Sequence, residues 1–428
     1  MTDWQAISAW RLFSQMTKLF SFIDENQTDI NWNNCSSTVR SILEGYLAGK
    51  EISVQDGIEL FSSGPADEKF ICDIANQIRK KKTGDVVSFV VNRNINFTNI
   101  CYMGCKFCNF SKRIEDKGAE WLTLEKIVER AKEAYSRGAT EICVQGGLHP
   151  KLSANFYRDI LLSVKKEIPD LHIHAFSPFE IWYGASKSKL SYKDFLSDLK
   201  ECGLDSMPGT AAEILDTDVR KQLTQNKLST DSWVEIIKEA HLLGIPTSST
   251  IMYGHIDGPE HWANHLIKLR NIQKDTKGFT ELVPLSFVYK DSPLYLNNKG
   301  TVRKGPNTSE VNKMHAVSRL LLSGWIDNVQ VSWTKLGLER ASELLNYGVN
   351  DLGGTLMNES ISRSAGSDFG QEITSFELVK LIRSIGKIPI QRTTLYQPLF
   401  DFSQKDPIET APLVDRTSQK TIDFINQL

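Results

Sequence analysis

The sequence predicts an α/β protein, a (β/α)8 TIM-type barrel with an N-terminal helical extension and a C-terminal tail. Three observations carry this expectation. The chain has 428 residues, enough for one large barrel with extensions. From Asp85 onward, short apolar runs alternate with mixed-charge helical stretches, the pattern of a mostly parallel sheet. About eight such units follow one another, the number that closes a barrel. Periodicity alone does not separate a closed barrel from a doubly wound open sheet, and the number of units favours closure.

Taken in order, residues 6–22 and 38–48 are amphipathic helical segments separated by a polar stretch. Residues 53–82 are helical again, with one apolar patch at Ile58, Leu60 and Phe61 and another at Ile71, Ile74 and Ile78. Residues 1–84 therefore read as a helical extension, whose first fifty residues pack on something else or form in part a flexible arm. Strands are expected at 86–91 running on to 95–97, then at 141–144, 172–176, 204–206, 246–252, 279–285, 328–331 and 349–352. Helices are expected between them at 124–134, 157–167, 192–201, 232–243, 260–272 and 310–322, which sets the barrel at 85–366. A last helix, 376–385, and a polar, proline-containing run make 367–428 a tail that packs on the bottom or the mouth of the barrel.

Charge and composition narrow the class. Lys and Arg number 50 against 52 Asp and Glu, so the net charge of −2 gives no basis for a nucleic-acid or acidic-membrane partner. No run reaches the roughly 18 apolar residues of a membrane span. Met1-Thr2-Asp3-Trp4 lacks the basic and apolar regions of a signal peptide, so the expected location is cytoplasmic. Seven cysteines, scattered and odd in number, argue against a disulfide framework.

Three of the cysteines fall in Cys101-Tyr-Met-Gly-Cys105-Lys-Phe-Cys108. That spacing lets one loop aim three sulfurs at a single cluster face, and three ligands on a [4Fe–4S] cube leave one iron free for a non-protein ligand. Structural zinc would need a fourth ligand from a second knuckle, and none is evident; His149 is a candidate that nothing local places there. Cys35, Cys72, Cys143 and Cys202 read as buried small hydrophobes.

Polar groups gather at the ends of the later strands, where barrel enzymes keep their chemistry. Gln145-Gly146-Gly147 follows the second strand, and two glycines there allow a close backbone approach or a tight turn. Ser177 and Glu180 end the third strand, where Glu180 could equally be a first-turn residue favoured by a helix N-terminus. Glu213 and Arg220 follow the fourth strand, or form a helix-surface pair. Tyr253, His255 and Asp257 cluster at the end of the fifth, either facing a polar substrate or capping the turn before Pro259. His172 and His174 read as core histidines, and the polar segment 91–98 as an edge or as a strand end lining a polar cavity.

The Cys-x3-Cys-x2-Cys loop after a strand resembles the radical S-adenosylmethionine (SAM) superfamily. Asn92-Arg-Asn-Ile-Asn-Phe-Thr-Asn99, Glu141-Ile-Cys-Val-Gln-Gly-Gly-Leu-His-Pro150, His172-Ile-His-Ala-Phe-Ser-Pro178, Ser206-Met-Pro-Gly-Thr-Ala-Ala-Glu-Ile-Leu215 and Thr250-Ile-Met-Tyr-Gly-His255 resemble its deazaflavin-precursor synthase branch, over residues 51–396. The resemblance implies that Cys101, Cys105 and Cys108 hold a [4Fe–4S] cluster whose free iron binds SAM. It implies SAM contacts from Phe107, Gln145, Gly146, Gly147, Ser177, Glu180, Glu213 and Arg220, and a substrate end at Tyr253, His255 and Asp257. It further implies a reaction in which a 5′-deoxyadenosyl radical leads to cleavage of the tyrosine Cα–Cβ bond. The 4-hydroxybenzyl group passes to 5-amino-6-(D-ribitylamino)uracil, releasing 2-iminoacetate, methionine and 5′-deoxyadenosine. A separate subunit would then complete the FO ring system. The cousins, two menaquinone-pathway enzymes (aminofutalosine synthase and dehypoxanthine futalosine cyclase), tend to carry further glycines where this chain has Thr210-Ala211. A non-catalytic metalloprotein using the same loop is the alternative from another class.

Overall fold

The computed structural model describes residues 30–224, 226–413 and 419–427. The helix expected at 6–22 lies outside them. The strands are β1 (Val86–Val90), β2 (Asn92–Asn96), β3 (Glu141–Gln145), β4 (His172–Ala175), β5 (Thr247–Tyr253), β6 (Phe279–Ser286), β7 (Asp351–Gly354), β8 (Ile388–Arg392) and β9 (Pro398–Asp401). β1 and β2 form one strand interrupted at Val91.

Parallel pairing runs from β2 to β3 to β4, and from β5 to β6. Two short segments complete the ring. Ser206 bridges His174 while Met207 bridges Thr247, and Val329 bridges Leu282 while Gln330 bridges Asp351. β7 then pairs with β1, and Met357 bridges Arg93. The circle is closed, so the expected barrel holds and the open sheet does not. The segments at 206–207 and 329–330 are the thinnest strands, held by single bridges.

The helices follow from their sequences. The helix Leu124–Ser136 starts where the Thr123 side chain accepts from the Lys126 amide, and buries Ile127, Ala131 and Ala134, spaced to share one face. Its outer residue Glu133 pairs with Arg93 of β2, so alternate residues of that strand point to the helix layer. The helices Ser37–Leu47, Val54–Ser62 and Pro65–Thr83 form the extension. The last two pack on the barrel helices Pro259–Thr276 and Thr308–Leu322.

The tail departs from the sequence expectation. Residues 388–401, read as irregular polar chain, form the antiparallel hairpin β8–β9. β8 pairs in parallel with the first residues of β1, so the hairpin covers the bottom of the barrel. Pro389 and Pro398 disguise it, because proline removes a ladder donor and argues against strand until an edge position is known. Among the described residues no helix is long and apolar enough to cross a membrane.

The barrel axis is hollow toward the top. In β2 and β3 the helix-facing Ile95, Ile142 and Val144 are fully buried, whereas axis-facing Asn94, Asn96, Cys143 and Gln145 retain accessible surface. An axis-facing residue can be accessible only if space lies beside it. Of the polar segment 91–98, Asn94 and Asn96 therefore face the axis, while Arg93 and Ile95 turn to the helix layer.

Candidate active site

The three cysteines lie on the loop that leaves the top of β2, and the loop is tied down on several sides. Cys101 N–H donates to the Lys112 carbonyl (3.1 Å), Lys106 N–H to Leu223 (3.0 Å) and Cys108 N–H to Cys105 (3.1 Å), while Lys106 accepts from Leu294 N–H (2.6 Å). Asn109 Nδ2 reaches the Ser364 carbonyl at 2.7 Å. All three are free thiols with partly accessible surface. Burial pushes the Cys105 and Cys108 thiols up; Lys227 and the Thr224 hydroxyl oppose this at Cys105, and the Ser111 and Phe110 amides oppose it at Cys108. Those amides and the Lys227 ammonium are what a bound thiolate-ligated cluster requires. Among the described residues, no three His, Cys, Asp or Glu converge as one metal ion would need. Three thiols on one loop with polar support fit a cluster that leaves one iron open.

The Gly146-Gly147 segment lies directly beneath this loop. A Cβ on Gly146 would stand 2.4 Å from the Phe97 ring, and one on Gly147 2.4 Å from the Ile100 carbonyl oxygen and 3.0 Å from Cys101 Cβ. Only glycine lets the end of β3 approach the cysteine loop this closely. Gly147 N–H donates to the Thr98 carbonyl at 2.8 Å. The Gly146 amide donates to Glu180 Oε1 at 2.9 Å, and the other oxygen of Glu180 accepts from the Ser177 amide and hydroxyl at 2.7 Å each. Ser177 and Glu180 form a capping box on the helix Pro178–Ser188. Glu180 is thus a buried brace, not a solvated first-turn residue, and burial pushes its carboxyl up to about 7 against the Ser177 and Gly146 hydrogen bonds.

Across the same rim, Glu213 sits between two cations, Lys227 Nζ at 2.6 Å and Arg220 Nη1 at 3.5 Å. Arg220 donates to the carbonyls of Ala211 (3.2 Å) and Leu228 (2.8 Å) and to Ala212, so it braces the loop. Lys227 lies over the rings of Phe107 (5.3 Å) and Phe179 (5.4 Å). Phe107 thereby joins the cysteine loop to the Glu213 cluster. Nothing local marks Lys227 in the sequence: one lysine in a polar loop reads as solvated, and only the fold brings it here. Gln145 also faces the rim, accepting from Thr210 Oγ1 at 2.8 Å.

Tyr253, His255 and Asp257 stand apart from that rim. Tyr253 is fully buried against Trp262 in the layer between strands and helices, and its hydroxyl accepts from Ser286 Oγ at 3.0 Å. His255 Nε2 meets the Met252 carbonyl at 3.0 Å. Asp257 accepts from the Gly254 amide (3.0 Å), the His255 amide (2.6 Å) and the Trp262 indole. His255 and Asp257 thus cap the turn into the following helix, the structural alternative named above, while Tyr253 is taken up by Ser286 and Trp262. His172 and His174 both meet Ser206 Oγ at 2.7 Å inside the barrel, and burial pushes His174 down to about 4, so its imidazole is neutral.

The floor of the lumen is charged. Arg392, the last residue of β8, contacts Asp351 through Nε (2.5 Å) and Nη2 (3.0 Å) and Glu281 at 3.4 Å, and lies 3.8 Å over the Tyr396 ring. Ser88 Oγ donates to Asp351 at 2.5 Å, and Tyr396 donates to Glu281.

A closed parallel barrel with three thiols on the loop after its first strand is the architecture of a radical SAM enzyme. The Radical SAM superfamily model matches residues 95–269, and a CofH/MqnC C-terminal region model matches 276–404, which includes the floor hairpin. An FO synthase from Mycobacterium leprae is 52% identical over 78% of this chain, and the chain spans only 38% of that relative's length. The 5-amino-6-(D-ribitylamino)uracil–L-tyrosine 4-hydroxyphenyl transferase of Methanocaldococcus jannaschii is 49% identical over 82% of this chain and 98% of its own. Methylornithine synthase shares the fold, with a TM-score of 0.63 at 19% identity over 82% of this chain and 97% of that one. The hydrogenase maturase HydG from Carboxydothermus hydrogenoformans also shares it, with a TM-score of 0.66 at 15% identity over 90% of this chain and 84% of that one. The chain belongs to the radical SAM superfamily and, within it, to the family of the archaeal 4-hydroxyphenyl transferase.

Proposed function

We propose that this chain transfers the 4-hydroxybenzyl group of L-tyrosine to 5-amino-6-(D-ribitylamino)uracil in deazaflavin biosynthesis. The observation that carries the reading is 49% identity to the archaeal transferase over 98% of that relative's length, with the thiol loop at the top of the barrel. Cys101, Cys105 and Cys108 would hold a [4Fe–4S] cluster. When bound, that cluster supplies the electron that opens SAM to methionine and a hydrogen-abstracting 5′-deoxyadenosyl group.

The chain's own residues bind and orient. Gly146 and Gly147 offer backbone to SAM, and Ser177 and Glu180 hold that backbone still. Glu213, with Phe107 and Gln145 beside it, faces the SAM ribose and adenine; Arg220 fixes the loop that carries it. The polar lumen wall, Asn94, Asn96 and Gln145, suits an oxygen-rich uracil substrate. A lumen closed below by the Arg392 floor keeps bulk water from the reacting groups. A separate protein would complete the FO ring system.

The test is anaerobic turnover of cluster-reconstituted protein with SAM, a reductant, tyrosine and the ribitylaminouracil. Mass spectrometry should find 5′-deoxyadenosine and a uracil adduct enlarged by one hydroxybenzyl group. Deoxyadenosine without the adduct, and an adduct only with the menaquinone-pathway substrates, would move the chain to those cousins.

A further inference from the structure

We infer that Lys335 binds the α-carboxylate of the amino-acid substrate, an inference that rests on the tyrosine reading above. Lys335 belongs to the short helix Trp333–Leu336, immediately after the strand segment at 329–330, so it stands at the top of the barrel. It lies deep in the fold while keeping some accessible surface, as lumen-lining residues do. Its ammonium donates to Ser362 Oγ at 2.5 Å and, among the described residues, forms no ion pair within 4.0 Å.

The surroundings explain why that charge is unanswered. Glu359 is the acidic neighbour, but both its oxygens accept from the Ser362 amide, at 2.9 and 3.1 Å. Ser362 Oγ also meets Thr334 Oγ1 at 3.4 Å, leaving the ammonium with neutral hydroxyl company. Burial lowers the affinity of Lys335 for its proton and Glu359 raises it, with burial prevailing. A deep ammonium with no carboxylate in direct contact is costly, and an incoming anion relieves that cost.

Position selects the anion. The loop carrying Ser362 touches the reaction side twice: Ser360 Oγ accepts from Asn96 Nδ2 at 3.0 Å, and the Ser364 carbonyl accepts from Asn109 of the cysteine loop at 2.7 Å. Lys335 therefore faces the mouth from the seventh and eighth strands. The SAM-side rim at Gly146 and Glu213 belongs to the second through fourth, and Glu213 there already has two cations. The ribitylaminouracil has no carboxylate. Of the two that do, SAM is expected on the opposite rim, which leaves tyrosine for Lys335. Anchored there, the amino acid presents its nitrogen and side chain toward the lumen.

The experiment compares tyrosine with tyramine, which lacks the carboxylate, in wild type and Lys335→Met. The expected result is a KM for tyrosine raised about 10- to 100-fold in the variant, the loss expected for one charge-assisted hydrogen bond. SAM affinity should be unchanged, and Lys335→Arg should recover part of the loss. Wild-type protein provides a readout free of folding and turnover: acylation of Lys335, followed by peptide mass spectrometry, should be blocked by tyrosine but not by tyramine. A tyrosine KM within twofold of wild type in Lys335→Met, or equal protection by tyrosine and tyramine, overturns the inference. Protection by SAM alone overturns it too, assigning the lysine to the other carboxylate. Wild-type protein that makes no hydroxybenzyl adduct instead refutes the function proposed above, a failure that the labelling does not share.

Discussion

The Glu180 carboxylate accepts the Gly146 amide at 2.9 Å, so one buried side chain ties the turn after β3 to the helix after β4. Removing it leaves three donors unmet in the interior. Glu180→Ala is expected to cost about 1–3 kcal/mol per unsatisfied buried donor and to weaken SAM binding, measured by denaturant unfolding and calorimetry. Glu180→Gln keeps the shape and one acceptor but turns the other oxygen into an NH2 facing a donor, so it should retain part of both.

The same carboxyl sets a pH dependence. Its folded pKa, pushed up to about 7 by burial, exceeds the ordinary glutamate value of 4.5. The folded state therefore holds more protons in between, and stability falls as pH rises through that window. Unfolding midpoints measured from pH about 4.5 to about 7 should show this decline in wild type and a flatter curve in Glu180→Gln. An unchanged slope would remove Glu180 as its source.

Gly147→Ala places a methyl 2.4 Å from the Ile100 carbonyl and 3.0 Å from Cys101 Cβ. The backbone oxygen cannot yield cheaply, so the cysteine loop must shift. A cost of about 1–3 kcal/mol is expected, and iron retained per chain after reconstitution should drop with it. Gly146→Ala meets a ring instead, and pairing it with Phe97→Leu should return part of the loss.

Arg392→Met leaves Asp351 and Glu281 without their cation on the floor of the lumen. Breaking such a buried set costs about 3–5 kcal/mol. Thermal unfolding should show a large drop, while the purified variant below its melting temperature should still bind SAM, since the floor lies away from the cysteine rim.

Tyr253→Phe tests a residue expected from sequence to face substrate. Its hydroxyl bonds Ser286 in the helix layer, so its removal should cost about 0.5–1.5 kcal/mol of stability and leave kcat and KM near wild type. A loss of turnover beyond tenfold with an intact cluster would return Tyr253 to the reaction.

Much of this was legible in the chain because apolar periodicity and strand-end glycines are local signals. Each barrel strand overlaps a position where the alternation places one, though the fourth and seventh are only bridged segments at 206–207 and 329–330 and the eighth shifts to 351–354. Gly146 and Gly147 owe their identity to packing visible only as a close approach. What was hidden depends on distance along the chain. Lys227, Lys335 and Arg392 are isolated cations in their own segments, and each acquires a partner or a vacancy only through folding. The hairpin β8–β9 was masked by two prolines at positions where no ladder bond is needed. The Tyr253, His255 and Asp257 cluster looked chemical because its residue types are those of active sites, yet amides and an indole take up Asp257, the Met252 carbonyl takes up His255 and Ser286 takes up Tyr253.

The most direct test of the central claim follows the tyrosine carbons. Reconstituted protein would be turned over with tyrosine carrying heavy-isotope carbon at Cα or at Cβ, together with SAM, a reductant and the ribitylaminouracil. The expected adduct retains the Cβ label and lacks the Cα label, and it disappears in Cys105→Ala. An adduct that keeps the Cα label, or none at all from protein that still cleaves SAM, would contradict the assignment.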